Sequence, residues 1–105
     1  MQAQLEAVAK DVEAIGDIRG RGVLYGVELV QDRGSRVPAD ALARAVVAQC
    51  QTEGLLVQAR GSHGRMNVIR LVPPMVSTDA QIDQGLSILG QVLRSASRVA
   101  ASKAA

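Results

Sequence analysis

Apolar residues at Leu5, Val8, Val12 and Ile15 are spaced by three and four, which lines them along one face of a helix, with Glu6, Lys10, Asp11 and Glu13 elsewhere. Gly16 reads as the stop of that helix. Residues 17–22, punctuated by Gly20 and Gly22, read as a turn. The turn leads into residues 23–30, where Val23, Val27 and Val30 supply the β-branched character of a partly buried strand. Residues 32–36 are a polar loop.

Pro38 suits the first turn of a second helix, since its missing N–H has no partner there in any case. That helix should run to about residue 53 and turn Leu42, Val46 and Cys50 inward, with Ala45 and Val47 flanking. Gly54 supplies its stop. A short strand over 55–58, a basic loop over 60–65 and an alternating strand over 67–72 follow, the last ended by Pro73 and Pro74. Thr78 and Gln81 form a capping box, after which Ile82, Leu86, Leu89 and Leu93 mark a third helix. The Ala- and Ser-rich residues 99–105 are expected to fray. The order is α-β-α-β-β-α: an α+β fold with a small, mostly antiparallel sheet covered by helices on one face.

With 105 residues the chain holds one core. We expect a single domain over 1–105, with a helical start over 3–15, a core over 16–94 and a tail. Hydrophobic residues make up 48% and charged residues 21%, close to globular averages, which excludes disordered and fibrous classes. One Tyr, no Trp and no Phe leave no stacking platform for nucleic-acid bases. Ten Arg and two Lys against ten carboxylates give +2, with the signs interspersed, so no nucleic-acid partner is expected. No apolar run approaches the ~20 residues that cross a bilayer. A single cysteine makes no internal disulfide, and a reducing cytoplasm is the expected location.

Candidate chemistry is sparse. The glycines at 20, 22 and 26 precede a strand instead of joining a strand to a helix, so they permit a turn and do not cradle a phosphate. Cys50 reads as a buried structural thiol and His63 as a loop residue. Asp79 and Asp83 sit where a helix N-terminus favours negative charge. No metal site is expected, because one His and one Cys supply too few ligands. Arg70 interrupts an otherwise apolar strand. A guanidinium on a rigid strand suits two-point binding of a carboxylate, and it equally suits an edge position or a structural ion pair.

The segments 18–29 (IRGRGVLYGVEL), 53–57 (EGLLV), 67–74 (NVIRLVPP) and 82–86 (IDQGL) occur in an order that resembles the C-terminal small domain of class III pyridoxal-phosphate-dependent aminotransferases, a family that includes 4-aminobutyrate, acetylornithine, ornithine and diaminobutyrate transaminases. The resemblance extends from about Ile15 to Leu93. It implies the small domain of the type I fold and gives Arg70 the role of binding a substrate carboxylate. It also implies pyridoxal 5′-phosphate in the complete enzyme, held by a large domain that supplies the lysine. Further implied partners are amino acid and 2-oxo acid substrates and a second copy in a homo-oligomer. Lys10 and Lys103 do not stand where the cofactor lysine is expected, Met75 replaces a usual leucine, and the 62–66 loop is unusually basic. We therefore expect a small-domain portion of a transaminase without activity of its own. The alternative is a free-standing α+β module in which the basic loop from Arg60 to Arg65 and the Arg70 strand hold an anionic metabolite or a partner protein.

Overall fold

The computed structural model describes residues 2–21, 24–31, 33–61, 65–71 and 78–104. In chain order these form α1 (Gln2–Asp11), β1 (Ile15–Arg21), β2 (Leu24–Leu29), α2 (Asp40–Thr52), β3 (Gln58–Arg60), β4 (Val68–Leu71) and α3 (Asp79–Ala104). The strands make one sheet in the order β1-β2-β4-β3, every neighbouring pair antiparallel. The fold class is the expected α+β layer structure, but the element order is α-β-β-α-β-β-α. The additional strand is β1, where the sequence reads as the end of a helix and a turn.

The cause lies in a bulge. Ile15 pairs with Leu29 and Asp17 with Glu28, so Gly16 is an extra residue that shifts the parity of the strand. Ile15 and Ile18 therefore stand three apart, a helical spacing, although Ile15 is buried and Ile18 packs at the core from a strand. A side chain at Gly16 would meet the Val30 methyls at 2.9–3.0 Å, so only glycine admits this close approach. The first helix accordingly ends at Asp11, and Arg33 holds its end in place. The Arg33 guanidinium donates to the carbonyls of Ala9 in the last turn of α1, of Val12 just beyond it and of Ile15 at the start of β1.

Smaller corrections follow the same logic. Pro38 lies before α2 and bridges to Val30, while Ala39 N–H donates to the Leu29 carbonyl, so residues 37–39 extend the sheet edge instead of opening the helix. Ala43, Val46 and Cys50 are the buried stripe of α2; Leu42 is half-buried and Ala45 exposed. The third strand begins at Gln58, not Leu55, because backbone pairing with β4 begins there, and Leu56 is left 81% exposed. Helix α3 continues to Ala104 through residues expected to fray, in keeping with the high helix propensity of alanine. The Pro73–Pro74 stop lies outside the described residues.

Burial alternates along the central strands. Tyr25, Val27 and Leu29 on β2 and Ile69 and Leu71 on β4 face a core completed by Leu5, Val8, Val46, Leu89 and Leu93 from the helices. Gly26, Glu28, Val68 and Arg70 alternate with them and point away from the helices. The sheet thus has one covered face and one open face.

Candidate functional site

Arg70 stands on the open face of β4, which lies between β2 and β3. Its neighbours Ile69 and Leu71 are buried on the other face, and this fixes the strand and the direction of the arginine. At the start of β4, Asn67 is 5% exposed; its side-chain amide donates to the Leu29 carbonyl at 3.1 Å and its own carbonyl accepts the Leu29 N–H at 2.7 Å. The strand is therefore tied to β2 before the arginine is reached.

Register assigns the neighbours. One row across the sheet runs Arg19, Gly26, Arg70, Gln58, and the next runs Asp17, Glu28, Val68, Arg60. Position 26 between Arg19 and Arg70 is glycine, and a Cβ there would meet a Val68 methyl at 3.1 Å. Arg19, Glu28, Arg60 and Arg70 line a single shallow concavity.

The charges on this face are not equivalent. The Glu28 carboxylate lies 3.9 Å from Arg19 Nη2 and 3.6 Å from Arg36 Nη2, and Arg19 Nε is 3.6 Å from Asp17. Arg19 and Arg36 are thus occupied by carboxylates. Among the described residues Arg70 has no ion pair and its side chain makes no hydrogen bond. Among the described residues the strand arginine is therefore an exposed cation without a carboxylate partner, and the structural ion pair is not its arrangement here. A second recess, between the ends of α1 and α3 and the start of α2, includes Asp11 and Arg94, which neutralise each other at 3.1 Å.

The other candidates are structural. Cys50 is fully buried, and burial, reinforced by the charge of Glu53, pushes its thiol up from 9.0 to about 11, so it is a protonated, unreactive core residue. Asp83 accepts a hydrogen bond from the Gln4 amide at 2.6 Å and so ties α1 to α3. His63 lies outside the described residues. No group of three or more His, Cys, Asp or Glu placed to hold a metal occurs among the described residues, and no helix among them is long and apolar enough to cross a membrane. Sequence reasoning found Arg70 and, in its alternative reading, the basic segment that begins at Arg60; it did not find Arg19 or Glu28, which join them only through strand register.

The profile of the class III aminotransferases matches residues 1–93. The chain is 37% identical over 95 residues to the taurine–pyruvate aminotransferase of Rhodobacter capsulatus, covering 88% of this chain and 21% of that protein. It is 37% identical over 87 residues to the 4-aminobutyrate aminotransferase of Escherichia coli, covering 83% of this chain and 20% of the other. A phospholyase from Arthrobacter, solved in complex with phosphoethanolamine, superposes with a TM-score of 0.81 at 32% identity, covering 89% of this chain and 22% of that one. The chain spans about a fifth of the length of these relatives. By sequence and by fold, this chain belongs to the class III aminotransferase family.

Proposed function

We propose that the chain is the small-domain portion of an aminotransferase that moves an amino group between an amino acid or ω-amino acid and a 2-oxo acid, and that Arg70 binds a substrate carboxylate there. The observation that carries this reading is the unpaired guanidinium on a rigid central strand, facing away from the core. Such a group offers two parallel N–H donors with the spacing of a carboxylate, without first breaking an internal ion pair. The taurine–pyruvate and 4-aminobutyrate relatives carry amino transfer in their names, which favours that chemistry here.

Pyridoxal 5′-phosphate supplies the electron sink for amino transfer when bound. The residues of this chain do not fit its reactive site. Lys10 is exposed on α1, an element that packs on α3 and β1, and Lys103 lies in the last turn of α3, so neither stands beside Arg70. We assign the cofactor and its lysine to a large domain seated over the open face, in a homo-oligomer, and the buried free Cys50 is compatible with a reducing cytoplasm. In that arrangement Arg70 orients the substrate by its carboxylate and performs no proton transfer of its own.

The test is Arg70→Gln in the complete enzyme. Loss of a charge-assisted bidentate contact should raise KM for both amino acid and 2-oxo acid roughly 10- to 100-fold, with the cofactor's visible absorbance retained after dialysis. Unchanged KM values would remove the assignment.

A further inference from the structure

Arg70 is not the only unpaired cation on the open face. Arg60, at the end of β3, lines the same concavity and, among the described residues, has no ion pair and no side-chain hydrogen bond. Gln58 pairs directly with Arg70, and Arg60 pairs with Val68, two residues before Arg70. The half-buried Ala59 between them turns toward the core, so Gln58 and Arg60 share the open face with Arg70. Arg60 and Arg70 are therefore diagonal neighbours on an antiparallel pair, with backbones roughly 7–8 Å apart, within reach of a common ligand for side chains of this length.

Two like charges at that separation repel, and among the described residues no carboxylate pairs with either of them. Glu28 is diagonal to Arg70 on the opposite side, yet its carboxylate is engaged by Arg19 and Arg36. Within the concavity Arg19 and Glu28 cancel, which leaves two guanidiniums in surplus. A monocarboxylate satisfies one of them. A phosphoryl group, with close to two negative charges at neutral pH and three acceptor oxygens, satisfies both and leaves an oxygen for the Gln58 amide.

Building on the reading of Arg70 as the anion-binding residue, we propose that Arg60 is a second, specificity-determining contact, and that Arg60, Arg70 and Gln58 together select substrates ending in a dianionic phosphoryl group over those ending in a carboxylate. Arg70 supplies the shared contact with either anion. Arg60 supplies the discrimination.

The experiment is a titration of the 105-residue chain, at constant ionic strength and pH 7.5, with phenyl phosphate and with benzoate, which differ only in the anionic head group. The arginine Nε–H resonances report binding, and the amide spectrum reports that each variant is folded. In the unmodified chain phenyl phosphate should bind about tenfold more tightly than benzoate, shifting the Arg60 and Arg70 signals together. Arg60→Gln should remove that preference and leave benzoate affinity within about twofold, while Arg70→Gln should weaken both ligands. An unchanged preference in Arg60→Gln, or a phenyl phosphate response that omits the Arg60 signal, would overturn the proposal. The carboxylate role of Arg70 fails separately, if benzoate affinity survives Arg70→Gln.

Discussion

Three side chains show how single residues set the frame for the site. Asn67 is buried, and its amide is satisfied by the Leu29 carbonyl, which registers β4 on β2 and so sets the height of Arg70 along the sheet. Arg33 collects three carbonyls at the end of α1 and the entry to β1, joining two elements with one planar group. Cys50 fills the core between α2 and the sheet as a neutral thiol. Its folded-state value of about 11 against 9.0 means that below pH 9 both folded and unfolded chains hold the proton, while between about 9 and 11 only the folded chain does. Stability should therefore fall across that window by on the order of 2 kcal/mol more than in Cys50→Ala, whose denaturation midpoint lacks this component. Parallel pH profiles of urea unfolding for the two proteins would count against the burial of this thiol.

Among the elements, α3 shows local coding. Thr78 N–H donates to the Gln81 side chain at 2.9 Å and Gln81 N–H donates to the Thr78 hydroxyl at 3.1 Å, the reciprocal pair anticipated from the two residue types three apart. Thr78→Ala should cost about 1 kcal/mol, read as a lower urea midpoint with an unchanged slope; an unchanged midpoint would mean that the cap contributes nothing. This helix was legible because its signals are local: a cap at fixed spacing and Leu86, Leu89 and Leu93 on one face. In helix α2 the buried Val46 and Cys50 and the end at Gly54, with φ at +91°, were legible, whereas its start was not, because Ala39 at its N-terminus makes no side-chain cap. Strand β1 was not legible, because a bulge converts a period of two into a spacing of three and a further glycine, Gly20, weakens the strand signal. The site was half legible in the same sense. Arg70 stands out inside an apolar run and Arg60 opens a basic segment, whereas Arg19 and Glu28 meet them only through pairings between segments up to about fifty residues apart, which no local pattern encodes.

At the scale of the whole molecule, the three helices and one face of the sheet close a core of Val, Leu, Ile and Ala, and the other face carries the charges. The Asp11–Arg94 pair and the Gln4–Asp83 hydrogen bond fasten α1 to α3 on the far side, so the helical layer holds the sheet without contributing to the open face. On that face carboxylates neutralise Arg19 and Arg36, while the Arg70 charge has no ion-pair partner among the described residues. The central claim is that this charge meets the carboxylate of the substrate when a large domain completes the site. A crystal structure of the complete enzyme with a bound 2-oxo acid tests it most directly. The account predicts both carboxylate oxygens at about 2.7–2.9 Å from the Arg70 guanidinium nitrogens. A carboxylate held by other residues, with Arg70 paired to a protein carboxylate or left in solvent, would contradict it.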